Sequence, residues 1–177
     1  KMIAKDCIRA RRSVRAFSDK DVEEGLLRDI VRAALYAPVG MKMYDSLHLS
    51  VLPCHAEVEK FTQLCRSQSG DENADPVHNA AALIVVSGKR TNAVEYANSA
   101  CMIENMLLAA TDLRLGSLYV FGAINATHGT PYEKKLAQLL QLPEGFTPLG
   151  SVAVGYCDAE FLPREQPNRV TGVNFVK

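Results

Sequence analysis

The chain has 177 residues, 47% of them hydrophobic, enough to bury a sizeable core, and the expected organisation is one domain over residues 1–177. Lys plus Arg and Asp plus Glu both number 20, so no global basic field exists to hold a nucleic acid, and no apolar run approaches a membrane span. The 5 cysteines (Cys7, Cys54, Cys65, Cys101 and Cys157) are scattered without a CxxC pair, which argues against a disulfide framework or zinc knuckle and predicts free thiols in a reducing cytoplasm.

The first distinctive stretch is Arg11-Arg12-Ser13-Val14-Arg15-Ala16-Phe17. Three guanidiniums and a hydroxyl this close together suit a phosphate, because arginine presents a fork of donors matched to oxyanions. The competing reading is a solvated helix end. Asp21-Val22-Glu23-Glu24 resembles a capping box, and Val22, Leu26, Leu27, Ile30, Val31, Ala34 and Leu35 recur at helical spacing until Pro38 and Gly40 end the helix. Leu47 to Leu52 alternates as a strand does, Ala56 to Cys65 reads as a short amphipathic helix, and Ser67 to Asp75 reads as a surface loop.

Ala80 to Val86 is an unbroken apolar run ending at Ser87-Gly88, the pattern of a central strand buried on both faces. From Val94 to Leu113 apolar residues surround the helix almost completely, which marks a helix buried in the core or in a subunit interface, stopped by Gly116. Cys101 on this helix is expected to be buried and inert. Ser117 to Phe121 and Leu149 to Tyr156 read as strands, with Tyr132 to Leu140 a helix between them. The last strand alternates Val152, Val154 and Tyr156 with Ser151, Ala153 and Gly155, small residues that admit close approach of a helix or a flat ligand. The tail from Arg164 to Lys177 has little periodicity of its own.

This mixed succession gives an α+β or α/β chain. It holds no GxGxxG, no GxxxxGK[ST] and no strand-turn-serine elbow, so the common nucleotide cradles are unsupported. His48, His55, His78 and His128 show no chelating spacing, and no metal site is predicted.

Four blocks, in order, resemble the nitroreductase-like FMN-dependent oxidoreductase family. They are the Arg11 to Phe17 cluster followed by a helix ending Ala33-Ala34-Leu35-Tyr36-Ala37-Pro38; Asn105-Met106-Leu107-Leu108-Ala109-Ala110; Leu115-Gly116-Ser117 with Gly122; and Leu139 to Gly155. The resemblance implies an α+β, three-layer α/β/α fold with a central, mostly antiparallel sheet. It also implies a homodimer with FMN at the subunit interface. By position Arg11 and Ser13 would grip phosphate, with Arg12 assisting, and Arg15 would reach the ribityl chain or the N1/O2 edge. Gly122 matches the position whose backbone N–H approaches flavin N5. Arg164 is the candidate carboxy-terminal phosphate ligand, with Arg169 as the fallback.

The implied activity is hydride transfer from NADH or NADPH through FMN to nitro-aromatic, quinone or similar acceptors by a ping-pong cycle. Such transfer needs stacking at roughly 3 to 3.5 Å and no dedicated acid, base or nucleophile. One block departs from the pattern. Where many members read Pro-Ser-x-x-Asn-x-Gln-Pro, this chain has Pro38-Val39-Gly40-Met41-Lys42-Met43-Tyr44-Asp45. Without the Asn and Gln side chains, flavin contact falls to the backbone of Pro38, Val39 and Gly40. Arg114 also stands where a glycine is usual before Leu115-Gly116. The lost amides raise a second possibility, a non-catalytic FMN-binding protein that stores or senses flavin; a flavin-free scaffold is a third.

Overall fold

The computed structural model describes residues 2–166 and 172–176. A short helix α1 (Ala4–Ala10) is followed by α2 (Glu24–Ala34), then strand β1 (Leu47–Leu52) and helix α3 (His55–Ser69). Strand β2 (Ala82–Gly88), helix α4 (Ala93–Asp112), strand β3 (Gly116–Val120), one helical turn α5 (Gly122–Asn125), helix α6 (Pro131–Leu139) and strand β4 (Thr147–Gly155) complete the order. The sheet runs β1-β2-β4-β3 with every neighbouring pair antiparallel.

Two apolar layers cover this sheet. On one face Ile84, Val86, Val152 and Val154 pack with Ile30 of α2 and Met102, Ile103 and Met106 of α4. On the other, Leu83, Val85 and Ala153 pack with Phe61 of α3 and Leu136 of α6. Alternate residues of β2 and β4 therefore serve opposite layers, as a pleated strand between two helical layers requires. The fold is a three-layer α/β/α sandwich around an antiparallel sheet. β2 is buried along its whole length, in keeping with its uninterrupted apolar run.

Three local expectations are corrected. Asp21 does not cap α2: no side chain caps that helix, whose N-cap is Glu23, and the Asp21 carboxylate instead accepts the His55 N–H at 3.0 Å and faces His55 Nδ1 at 2.6 Å. It thus satisfies one of the orphan donors that begin α3. Gly116 does not stop α4. Arg114 adopts φ 60°, and the bonds Leu115 N–H to Ala110 O (2.8 Å) and Arg114 N–H to Thr111 O (3.1 Å) close the helix as a Schellman turn. Arg114 occupies this left-handed position although glycine enters it at less cost, and its guanidinium donates to Phe161 O at 3.1 Å. Finally, α3 continues to Ser69, so the loop expected from Ser67 begins only at Gly70, which ends the helix with φ 71°.

The turn into α2 carries a pH-sensitive contact. Tyr156 donates its hydroxyl to Glu23, and Lys20 Nζ lies 3.1 Å from the other carboxylate oxygen. The Tyr156 hydroxyl, then the Glu23 backbone N–H and Lys20, hold the Glu23 carboxyl down from 4.5 to about 2. Because the folded pKa is depressed, this contribution is complete above about pH 4.5 and is lost as pH falls toward about 2. Glu23→Gln should lower the thermal midpoint relative to wild type at neutral pH, with the gap closing below about pH 4. A gap that stays constant across that range would show that the carboxylate's charge contributes nothing.

Candidate functional site

The cationic segment lies along the outer edge of β3, which ends the sheet. Ser13 forms a parallel bridge with Ser117, and Val14 N–H donates to Ser117 O at 2.9 Å. Phe17 then turns over the start of β3, where glycines admit it. A Cβ at Gly155 would stand 2.9 Å from the Phe17 ring, and one at Gly116 would stand 3.0 Å from both Phe17 and Val14. Ser18 N–H closes the segment onto Tyr156 O at 2.9 Å. The small residues on that side of β4 therefore accommodate the motif's own aromatic ring at Gly155, while Ser151 bonds Val120 O at 2.8 Å and Ala153 packs in the core.

The arginines divide into two groups. Arg12 is engaged with the protein, donating to Ala10 O at 3.3 Å and Leu162 O at 3.0 Å. Arg11 is half-buried and Arg15 exposed, and among the described residues neither guanidinium has a hydrogen bond or ion pair with the protein, nor does the exposed Ser13 hydroxyl. Arg164 comes to the same end of the molecule: its N–H and Nε donate to Arg9 O at 3.1 and 3.0 Å, and Arg9 Nε donates back to Arg164 O at 3.0 Å. Arg169 lies outside the described residues.

At the far end of β3, Gly122 opens α5 and is exposed, with nothing within 4 Å of an added Cβ. Its N–H precedes the intrahelical ladder and is available to a ligand. From the Ser13 bridge partner Ser117, β3 runs three more residues to Val120, about 10 Å along the strand, and Gly122 lies two residues past its end.

An aromatic group that sequence reasoning missed adjoins it. Phe121 meets Tyr96 and Tyr119 edge-on, with centroids 6.1 and 6.2 Å apart. His128 Nε2 donates to Pro148 O at 2.6 Å, leaving Nδ1 to accept the Tyr96 hydroxyl at 3.2 Å. Burial, then Glu133, raises the Tyr96 phenol above its usual range, so it stays protonated and able to donate. These contacts join α4, α5 and β4 across long separations, and no local motif marks them.

The segment after α2 forms two single 3₁₀ turns, Gly40–Lys42 and Tyr44–Ser46. Its backbone is less available than its sequence suggested. Pro38 has no N–H, and the Gly40 N–H is already given to Asn98 Oδ1 at 2.9 Å. Val39 O and Gly40 O accept from Lys42 and Met43. Lys42 is exposed, as is Cys101, contrary to the burial expected for that thiol: it lies on the outward face of α4 with Ala97, Ala100 and Glu104.

The fold is thus a three-layer sandwich in which, among the described residues, Arg11 and Arg15 lie beside the β3 edge with guanidiniums that have no protein partner, and an exposed glycine lies just past the strand's other end. Residues 8–156 match the model of the nitroreductase family, and the chain belongs to that family. A nitroreductase with bound FMN from Bacteroides fragilis is 27% identical, with a TM-score of 0.84 over 99% of this chain and 100% of that one. A nitroreductase with bound FMN from Desulfitobacterium hafniense shares the fold at 20% identity, TM-score 0.80, covering 98% and 100%. An FMN-dependent nitroreductase from Clostridium difficile shares it at 19% identity, TM-score 0.70, covering 95% and 97%. No helix among the described residues is long and apolar enough to cross a membrane.

Proposed function

We propose that this chain is an FMN-dependent oxidoreductase that takes hydride from NADH or NADPH and passes reducing equivalents to a nitro-aromatic, quinone or similar small acceptor in a ping-pong cycle. The observation that carries the reading is the pairing of Arg11, Ser13 and Arg15, whose side chains have no partner among the described residues, with an exposed Gly122 just past the end of the same strand. The residues fit the group: free cationic forks suit a phosphate, and an unobstructed backbone donor suits the edge of a flat ring. FMN in neighbours of the same fold supports it.

When bound, the flavin supplies a centre that accepts and donates hydride at N5. Arg11 and Ser13 bind its phosphate, and Arg164 adds charge at the same end. Arg15 would place a cation toward the ribityl chain or the N1/O2 edge, and a positive charge there favours the reduced flavin. Gly122 offers its N–H at N5 without a side chain to block nicotinamide or acceptor. Arg12 contributes indirectly, by tying the segment to Leu162. Pro38, Val39 and Gly40 would border the ring by packing alone, because the Gly40 N–H is given to Asn98 and the Val39 and Gly40 carbonyls to Lys42 and Met43.

The chain acts as a homodimer with FMN at the interface, a reading supported by the outward face of α4. There Val94, Ala97, Ala100 and Cys101 are exposed, as are Leu35 and Tyr36 after α2. Exposed apolar side chains of this kind suit an association surface. NAD(P)H oxidation by the FMN-loaded protein, assayed with nitro-aromatic and quinone acceptors, tests the activity: parallel double-reciprocal lines are expected. FMN-loaded protein without turnover on any acceptor would leave a flavin-binding protein and remove the oxidoreductase.

A further inference from the structure

The first turns of α4 bury three polar side chains on one side of the helix. Glu95, Asn98 and Ser99 are 0%, 5% and 1% exposed, and their i, i+3, i+4 spacing puts them on one face. Among the described residues Glu95 Oε2, Asn98 Nδ2 and Ser99 Oγ have no hydrogen-bond partner. Leaving such groups buried is costly, so the fold would be better served by apolar residues unless these side chains do something else.

The satisfied atoms of Asn98 and Glu95 show what that is for two of them. Asn98 Oδ1 accepts the Gly40 N–H at 2.9 Å. Glu95 Oε1 receives Arg90 Nε and Nη2 at 3.2 and 3.1 Å, and the same Nη2 reaches Met43 Sδ at 3.1 Å. The loop is thus pinned at Gly40 and again at Met43.

Between the pins, Met41 and Lys42 both hold left-handed backbone, φ 56° and 55°. Residues other than glycine persist there only when their surroundings hold them. Met41 is 87% exposed, so its own side chain does not supply that hold. Gly40 belongs to the same device, since a Cβ there would stand 3.2 Å from Val94 Cγ1, so the loop lies closest to α4 where the side chain is smallest.

We propose that Asn98 and the Arg90–Glu95 pair are positioning residues, a two-point latch that fixes the Pro38 to Asp45 loop in the shape that borders the flavin. The flavin part of this assignment rests on the FMN reading above; the latch itself does not. Limited tryptic cleavage after Lys42 in the apoprotein, followed by mass spectrometry, reads the loop, and quenching of FMN fluorescence reads the cofactor.

Asn98→Ala should speed cleavage after Lys42 about ten-fold and weaken FMN binding by a similar factor, the scale of a lost buried hydrogen bond. Met43→Leu keeps the volume, removes the sulfur acceptor and should speed cleavage several-fold, which preserves the test if Asn98→Ala does not fold. Cleavage at other sites should keep its wild-type rate. Unchanged cleavage after Lys42 in the folded variants overturns the latch. Faster cleavage with unchanged FMN affinity overturns its role in positioning the loop for flavin. Faster cleavage in variants of a wild type that takes up no FMN supports the latch and removes the FMN reading instead.

Discussion

Arg11→Ala should weaken FMN binding by about 1.5 to 3 kcal/mol, roughly ten- to a hundred-fold, while leaving the thermal midpoint unchanged. The Arg11 guanidinium has no partner within the described protein, so its removal strands no buried acceptor. What is lost is a charge-assisted hydrogen bond to phosphate, stronger than its neutral counterpart and preorganised by the Ser13–Ser117 bridge two residues on. Arg12→Ala provides the contrast. That side chain holds Ala10 O and Leu162 O, so its truncation should show first in the melting curve. Fluorescence titration and thermal denaturation on the two variants separate the roles. Unchanged FMN affinity in Arg11→Ala would refute the phosphate grip.

Gly116→Ala should destabilise the fold by about 1 to 3 kcal/mol and weaken FMN binding in the same step. A methyl group there meets Cys157 Sγ at 2.8 Å and both Phe17 Cε1 and Val14 Cγ1 at 3.0 Å. It has no free direction. Val14 stands between Ser13 and Arg15, and Phe17 lies two residues beyond Arg15, so relieving the clash shifts the segment that carries the cations. The loss of stability comes from overpacking, and the loss of affinity from displaced donors. Denaturant unfolding and FMN titration measure them separately. A variant as stable as wild type with full affinity would show that the segment does not depend on this packing.

How much of this was legible in the sequence depended on how local the cause was. β2 was readable because burial on both faces demands an unbroken apolar run, and α4 because apolar positions on nearly every side identify a helix with little solvent-facing surface. That same pattern could not say which face remained open. Cys101 proved exposed, because the apolar residues on its side of α4 cover no part of the described chain. α1 was legible only as the helix end in the competing reading of the arginine cluster, which it meets with Arg11 as its C-cap, because only Cys7 and Ala10 are buried in its seven residues, too few for a period. Asp21 carried a capping signature, yet its carboxylate turned to His55, 34 residues away, a choice made by tertiary structure.

The site divides in the same way. The Arg11 to Phe17 cluster stood out by composition and gained a ligand only through resemblance to a family. The reason its backbone lies where it does, glycines under Phe17, became plain only in three dimensions. The Pro38 to Asp45 loop had seemed to offer its backbone to a ligand. The Gly40 N–H is instead consumed by Asn98, 58 residues later, and no spacing rule connects the two.

The most direct measurement is the visible absorption spectrum of the protein after incubation with FMN, removal of unbound flavin by gel filtration, and anaerobic addition of NADH or NADPH. An FMN-dependent oxidoreductase gives a protein-bound yellow absorbance that bleaches when a nicotinamide donor is added and returns with a quinone or nitro-aromatic acceptor. Protein that emerges colourless, or retains flavin that neither donor bleaches, would contradict that function.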